Sequence, residues 1–128
     1  MADISAVLDL WKRADAEPTH TDDETSVSAL IDHDPAALWV AVHDGSIVGS
    51  VIAAWDGWRG SIYRLAVAPE ARRGGLGSRL LSAAQDRLAR SGAVRLQAIV
   101  VESDTQAMGF WGNSGWAQQS DRARFVRG

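Results

Sequence analysis

The sequence predicts an α/β protein. A strand, a loop, a helix and a second strand follow one another over residues 61–101, and such a βαβ unit pairs its two strands in parallel. A β-hairpin pattern precedes this unit over residues 38–55, and a helical spacing of apolar residues opens the chain. A chain of 128 residues is expected to form one domain, here residues 1–128, with a core of ordinary size.

The first part of the chain is predicted to be helical. Ile4, Val7, Leu8 and Trp11 recur at helical spacing, so a helix should begin almost at once. Residues 18–26 are polar, contain helix-capping residue types, and should lead into a short helix around residues 25–32.

Three strands are expected next. Leu38 to Val42 and Ile47 to Trp55 are β-rich segments joined at His-Asp-Gly-Ser, which is a hairpin signal. Asp56-Gly57 marks a further turn, and Ile62 to Val67 forms the third strand.

The rest of the chain alternates between helix and strand. Leu76, Leu80, Leu81, Ala84 and Leu88 form one apolar stripe, which predicts a helix closed by Ser91-Gly92. The remaining predicted elements are a buried strand from Val94 to Val101, a helix over 104–112, and a terminal pair of strands over 116–119 and 122–126.

The loop between the third strand and the long helix is the most informative segment. Pro69 stops the strand, and glycines at 74, 75 and 77 leave the backbone accessible where the helix begins. A helix start offers about four unpaired N–H groups and a partial positive charge. Together with Arg72 and Arg73, this pattern favours a cradle for phosphate oxygens.

Two common phosphate motifs are excluded by spacing. A P-loop requires Gly-Lys-Ser/Thr, and the only lysine is Lys12. A dinucleotide fingerprint would need a small residue at Leu80 and an acid within residues 93–101, and neither is present. The phosphate-binding pattern that remains is Arg72-x-x-Gly75-x-Gly77. The alternative is a glycine-rich turn that binds no ligand.

Two stretches resemble one family. The segment LAVAPEARRGGLGSRLL, residues 65–81, is similar to the acyl-CoA pyrophosphate loop of the GNAT superfamily of N-acetyltransferases. Residues 104–116 resemble a second GNAT signature in the expected order and distance. The resemblance implies a central mixed, twisted sheet of about six strands with helices on both faces, and acetyl-CoA as co-substrate without a metal. The residues it assigns to CoA are Leu65, Ala66, Val67, Arg72, Arg73, Gly74, Gly75, Leu76, Gly77, Ser78 and Phe110.

The chain departs from the GNAT pattern in three places. Only Met1 to Asp3 precede the first helix, so the family's first strand is expected to be short or missing. The strand Leu38–Val42 would then be an edge open to a partner strand, which is compatible with a homodimer. Asp104 replaces a common asparagine, and Trp111 replaces a tyrosine that is thought to protonate the departing thiolate in many members. An indole N–H is no useful acid.

The resemblance also implies the chemistry. An amine attacks the thioester carbonyl directly, and strand N–H groups near Ala66 and Val67 would polarise that carbonyl. Tyr63 and Glu102 are the predicted catalytic residues that accept a proton from the amine. For Tyr63 the alternative is a packed core tyrosine, and for Glu102 a solvated strand end. Asp22, Glu24 and Asp56 are predicted to line the acceptor entry.

The distribution of charge along the chain indicates which charge a ligand of each half should carry. Residues 1–56 carry eleven acids against Lys12 and Arg13, whereas residues 57–128 carry eleven arginines against five acids, within a net charge of −3. This division fits an anionic ligand on the second half and a cationic one on the first. The acceptor is therefore predicted to be a small-molecule amine or a protein or peptide amine.

The sequence gives less support to other classes of protein. The absence of cysteine excludes disulfides and thiolate metal sites, and the three histidines lack metal-ligand spacing. No segment has a membrane-spanning or signal-peptide pattern, so a cytoplasmic protein without membrane contact is expected. Nucleic-acid binding is disfavoured, because aromatic residues do not alternate with the arginines. A non-catalytic acyl-CoA-binding or interaction module is the main alternative to an enzyme.

Overall fold

The structure is a computed structural model that describes residues 4–14 and 20–128. The chain divides into two compact units, the first ending at Ala98 and the second formed by residues 99–128. The prediction of a short or missing first strand at residues 1–3 lies outside the described residues.

Both N-terminal helices are confirmed. Helix α1 spans Ile4–Arg13 and helix α2 spans Glu24–His33. The Asp23 carboxylate accepts a hydrogen bond from the Ser26 N–H (2.7 Å), so an aspartate caps α2 as its residue type favours.

One mixed sheet forms the centre of the first unit. Its four strands lie in the order β1-β2-β3-β4, with β1–β2 and β2–β3 antiparallel and β3–β4 parallel. Asp44 and Gly45 join β1 to β2 with positive φ angles (49° and 78°), as a type I′ turn requires. The strands are β1 Leu38–His43, β2 Ser46–Trp55, β3 Gly60–Val67 and β4 Leu96–Ala98.

Helices cover both faces of this sheet, as predicted. Helices α1 and α2 contribute Val7, Leu10, Trp11 and Val27 to a core on one face. Helix α3, Leu76–Ser91, covers the other face and ends at Gly92 with φ 110°. A Cβ on Gly49 would lie 2.8 Å from Leu80 Cδ1, so this glycine lets α3 approach the sheet closely.

The prediction of about six strands is wrong in number, because four strands are found among the described residues. The strand expected from Val94 to Val101 is only Leu96–Ala98. The terminal pair over 116–119 and 122–126 does not form strands there, and Phe125 is 93% exposed. These segments are four and five residues long, and an isolated pair of strands of this length buries too little apolar surface to stabilise a ladder.

The second unit contains one helix, α4, which spans Thr105–Asn113 as predicted. The Asp104 carboxylate caps it by accepting the Ala107 N–H at 3.0 Å. Gly115, with φ 87°, follows the helix end. Asparagine is therefore not needed at this cap, because aspartate offers the same acceptor.

A largely buried ion pair connects the end of α2 to α3. Arg87 Nη2 donates to Asp34 Oδ2 at 2.6 Å, and Arg87 Nη1 donates to the carbonyl of Ala53 in β2. The hydrogen bond from Arg87 is the main cause that lowers the pKa of Asp34 below its ordinary value of 3.8. The carboxylate therefore stabilises the fold when it is ionised.

This ion pair predicts an acid-dependent loss of stability. A carboxyl group with a lowered folded pKa contributes its stability above the unfolded pKa and loses it as the pH falls through the folded pKa. We expect Asp34→Asn to lower the free energy of unfolding by about 1.5–3 kcal/mol at pH 7. Thermal unfolding between pH 6 and pH 3 should then show a weaker pH dependence in the variant. Equal slopes for both proteins would contradict the assignment.

Candidate functional site

The loop between β3 and α3 is shaped by backbone conformation. Pro69–Ala71 form a single 3₁₀ turn directly after the strand. Arg73 and Gly75 then adopt left-handed backbone, with φ 74° and 77°. At Arg73 this conformation costs about 1–2 kcal/mol relative to glycine, so the surrounding fold must hold the loop in place.

This loop presents a row of unpaired amides. Within residues 4–14 and 20–128, no protein acceptor bonds the N–H groups of residues 73–78. The first backbone bond at this end of the sixteen-residue helix α3 runs from Arg79 N–H to the Gly75 carbonyl (3.1 Å). Six successive donors at the positive end of a helix form a site for an anion.

Space for a ligand is available at two of these positions. A Cβ added to Gly74 or Gly75 would meet nothing within 4 Å, and both residues are exposed. Ser78 is exposed as well, whereas the side chain of Leu76 packs against the core and leaves only its backbone for a ligand.

The two arginines of the loop have different environments. Arg72 Nε donates to the Val67 carbonyl, and Arg72 Nη2 donates to the Ala14 carbonyl, both at 3.1 Å. Arg72 thus holds the loop against β3 and the end of α1. Arg73 is exposed, so its guanidinium is the one that can approach a phosphate.

Strand β3 contains a bulge just before this loop. The register with β2 pairs Ser50 with Ala66 but Ile52 with Tyr63, so two residues of β3 lie opposite one of β2. The first of these two, Arg64, has φ 50°, a left-handed conformation that is uncommon for a residue other than glycine.

Beyond the bulge, one amide points away from β2. Ala68 N–H donates to the Val48 carbonyl at 2.8 Å. Because bonded and non-bonded pairs alternate along an antiparallel ladder, Ala66 N–H faces β2 and Val67 N–H faces the opposite edge. Strand β4 pairs with β3 only as far as Ile62, so residues 63–67 have no β4 partner.

The bulge is the cause of this orientation. At the other end of the hairpin, Asp56 N–H donates to the Arg59 carbonyl at 3.3 Å, and the same alternation directs Tyr63 N–H towards β2. Without the bulge, the alternation would continue and Val67 N–H would also point to β2. Of the two amides suggested by the sequence, the ladder therefore favours Val67 for polarising a carbonyl.

Tyr63 lies next to the bulge and is 48% exposed, so the alternative of a packed core tyrosine is wrong. Its Cα lies opposite that of Ile52, and directly opposed residues share a face of the sheet. Tyr63 therefore lies on the face that α1 covers, in the middle of β3, and its catalytic role remains a prediction.

The residues predicted at the acceptor entry have other contacts. Asp22 forms an ion pair with Arg64, and both side chains are largely buried. Asp56 accepts the N–H groups of Arg59 and Trp58 at 2.6 and 2.7 Å, and these bonds lower its pKa. Both carboxylates thus shape the first unit, whereas Glu24 is exposed at the start of α2.

Glu102 and Phe110 belong to the second unit. Glu102 lies exposed in a turn before α4, so the expectation that it ends a strand is wrong, because that strand already stops at Ala98. The Phe110 ring contacts Trp111 edge to face at 5.9 Å, and Trp111 contacts Trp116 at 4.7 Å. Trp111 is thus part of an aromatic cluster.

A cluster of metal-ligand side chains and a membrane-spanning helix are both absent from the described residues. Among them, no three His, Asp or Glu side chains are grouped as a metal site would need. None of the helices found in 4–14 and 20–128 has both the length and the apolar character that a membrane crossing demands.

Comparison with known proteins identifies the family. The model of the Acetyltransferase (GNAT) family matches residues 4–116. An acetyltransferase of Pectobacterium atrosepticum is 35% identical over 109 residues, which is 85% of this chain and 77% of that protein. The chain belongs to the GNAT family of acetyltransferases.

Solved structures share the GNAT fold. A GNAT family acetyltransferase of Streptococcus pneumoniae superposes with a TM-score of 0.74 at 21% identity, over 99% of this chain and 91% of that one. AAC(6')-Iy, solved with a bisubstrate analogue of CoA and acetylneamine, gives a TM-score of 0.71 at 16% identity, over 98% and 90% of the two chains.

Two polar residues of this GNAT chain were assigned no role by sequence reasoning. Ser50 and Arg64 lie within apolar strands and bond each other, Ser50 Oγ donating to the Arg64 carbonyl at 2.8 Å. The sequence does carry a signal for them, because each is a polar residue inside an otherwise apolar strand pattern. Such residues, when buried, require a partner.

Proposed function

We propose that this GNAT protein transfers an acetyl group from acetyl-CoA to a primary amine by direct attack within a ternary complex. The observation that carries the proposal is the row of six amides over residues 73–78 at the start of α3, which find no acceptor in the part of the chain that the structure describes. These donors fit the diphosphate of CoA, and exposed Arg73 adds a fixed charge.

The distant structural neighbours support this choice of ligand. AAC(6')-Iy, an aminoglycoside N-acetyltransferase, has been solved with a bisubstrate analogue that joins CoA to acetylneamine, and in a second structure with CoA itself. We propose by analogy that Leu65, Ala66 and Phe110 contact the rest of the CoA molecule.

The chain's own residues would then place the reacting groups. The nitrogen of the neutral amine bonds to the thioester carbonyl carbon of acetyl-CoA, the C–S bond breaks and the thiolate leaves. The proton that the nitrogen loses on becoming an amide neutralises this thiolate, directly or through water. Val67 N–H would donate to the carbonyl oxygen as negative charge develops there. An acceptor that enters as an ammonium must first lose a proton, and we propose Tyr63 or Glu102, directly or through water, as its acceptor.

The proton balance predicts which amines react well. A lysine-like ammonium with a pKa of about 10.4 requires roughly 4–5 kcal/mol for deprotonation at pH 7, whereas an α-amine near 7.8 requires about 1 kcal/mol. A thiol with a pKa of about 8.5 leaves readily as thiolate. The base is therefore needed more than the acid, and loss of the family's tyrosine slows the reaction rather than abolishing it.

Thiol release from acetyl-CoA across a panel of small amines, peptides with free N-termini and lysine peptides tests the proposal. We expect turnover with at least one of these classes of amine. Tight CoA binding without turnover on any amine would favour the alternative, a non-catalytic acyl-CoA-binding module, for which Trp111 in the tyrosine position is the specific observation.

Restoring the tyrosine provides a second test. If the thiolate lacks an acid, Trp111→Tyr should raise kcat by roughly tenfold with a smaller effect on KM, because a proton donor acts in the transition state. Trp111→Phe is the matched control, since it also removes the indole but supplies no proton. Equal kcat values for the two variants would show that acid catalysis is not missing.

A further inference from the structure

A connected set of polar contacts lies at the bulge in β3. Trp11 Nε1 donates to Ser50 Oγ at 2.9 Å, and Ser50 Oγ donates to the carbonyl of Arg64 at 2.8 Å. Ser50 is fully buried and Trp11 is 3% exposed. A buried hydroxyl that is bonded on both sides fixes the backbone it contacts, because the bonds cannot be exchanged for water.

The side chain of Arg64 belongs to the same set of contacts. Its Nε donates to Asp22 Oδ1 at 3.0 Å and its Nη2 donates to Asp22 Oδ2, a two-point contact between guanidinium and carboxylate. The Arg64 side chain is 16% exposed and that of Asp22 18% exposed. Arg64 Cζ also lies 5.3 Å from the centre of the Trp11 ring.

These contacts converge on the one residue of β3 with a positive φ. The Arg64 carbonyl accepts from Ser50 of β2, which Trp11 of α1 holds in turn, and the Arg64 guanidinium is held by Asp22, just before α2. The strained residue is thus fixed at both its backbone and its side chain. Strain of this kind persists only where the surrounding structure determines it.

We propose that Asp22, Arg64, Ser50 and Trp11 form a bulge brace that positions Val67 N–H for acetyl transfer. The inference rests on the proposed function, because it assumes that this N–H acts on the thioester carbonyl. The four side chains act through the backbone of β3 and are positioning residues. The diphosphate site at residues 73–78 uses other atoms, so the brace should affect the chemical step more than CoA binding.

The fold supplies a matched control ion pair. Asp34 and Arg87 are buried to a similar extent, with side-chain exposures of 23% and 14%, and Arg87 also donates to the carbonyl of Ala53 in β2. Ala53 pairs with Ile62, next to the pair that flanks the bulge, but its N–H donates to the Ala37 carbonyl, so its polar groups, and with them the contact from Arg87, lie on the β1 side of β2, away from β3. Asp34→Asn therefore removes a comparable contact without touching the brace.

The experiment compares kcat, KM and CoA affinity in four variants. We expect Asp22→Asn and Arg64→Gly to lower kcat at least tenfold, with the CoA dissociation constant within twofold of wild type. Arg64→Gly is informative because glycine tolerates φ 50°, so its loss of kcat reports the side-chain contacts. Arg64→Lys, which keeps the charge, should recover part of kcat, and Asp34→Asn should leave it unchanged. Unchanged kcat in Asp22→Asn, or an equal loss in Asp34→Asn, would overturn the proposal.

Amide hydrogen exchange separates this inference from the proposed function. The N–H groups of Tyr63 and Ala66 bond across to β2 on either side of the bulge, so a loosened bulge should make them exchange at least tenfold faster in Asp22→Asn. Unchanged exchange would overturn the brace even in an active enzyme. A wild-type protein inactive on every amine would contradict the proposed function, while exchange would still decide whether the brace holds the bulge.

Discussion

Gly77→Asp is expected to weaken CoA binding by roughly a hundredfold or more. Gly77 is the second residue of α3, within the six amides that face the proposed diphosphate site. An aspartate there places a negative charge where the helix otherwise presents partial positive charge to the ligand. Isothermal titration calorimetry with CoA measures the effect directly.

The substitution should not unfold the protein. An acidic side chain in the first turn of a helix interacts favourably with the helix dipole, and aspartate has a higher helix propensity than glycine. Ser82→Asp is the matched control, because Ser82 is exposed on the same helix but lies beyond its first turn. Both variants should retain the wild-type Tm within a few degrees. Wild-type CoA affinity in a folded Gly77→Asp protein would refute the placement of the diphosphate.

Val67→Pro is expected to lower kcat by about 10²–10³-fold, the usual cost of removing one donor from an oxyanion site. Proline has no N–H, and the ladder directs the Val67 N–H away from β2, so the substitution removes the proposed donor without breaking a β2–β3 bond. The steady-state rate of thiol release at saturating acetyl-CoA is the appropriate measurement.

Two comparisons make this prediction specific. Val67→Ala shortens the side chain but keeps the amide, and it should retain most of kcat. The CoA affinity of Val67→Pro should stay near wild type, since residues 73–78 are unchanged. If Val67→Pro keeps the wild-type kcat, or if both variants lose the same activity, the carbonyl is polarised by another group.

Local patterns were sufficient to predict most elements of the fold. The Asp44-Gly45 turn, the apolar stripe of α3 and the Asp104 cap of α4 each depend on residues a few positions apart. Propensity and periodicity describe such short-range relations well. The glycine-rich loop between β3 and α3 was predictable for the same reason, because Pro69 and its glycines mark it within one short segment.

The bulge and its contacts could not be predicted in this way. Arg64 and Asp22 are 42 residues apart, and Trp11 and Ser50 are 39 apart, so their contacts depend on the assembled fold. The bulge also reverses which face of the sheet each later residue of β3 occupies, and periodicity cannot show this. The predicted terminal strands failed because their pairing depended on partners that a local pattern does not contain.

The proposed function depends on the main-chain amides of residues 73–78 binding the diphosphate of CoA. The most direct test is a ¹H–¹⁵N NMR titration of the wild-type protein with CoA and, separately, with pantetheine, which lacks the diphosphate. We predict that CoA shifts the amide resonances of residues 73–78 and that pantetheine leaves them in place. CoA binding that leaves these six resonances unmoved, or equal shifts with pantetheine, would contradict the claim.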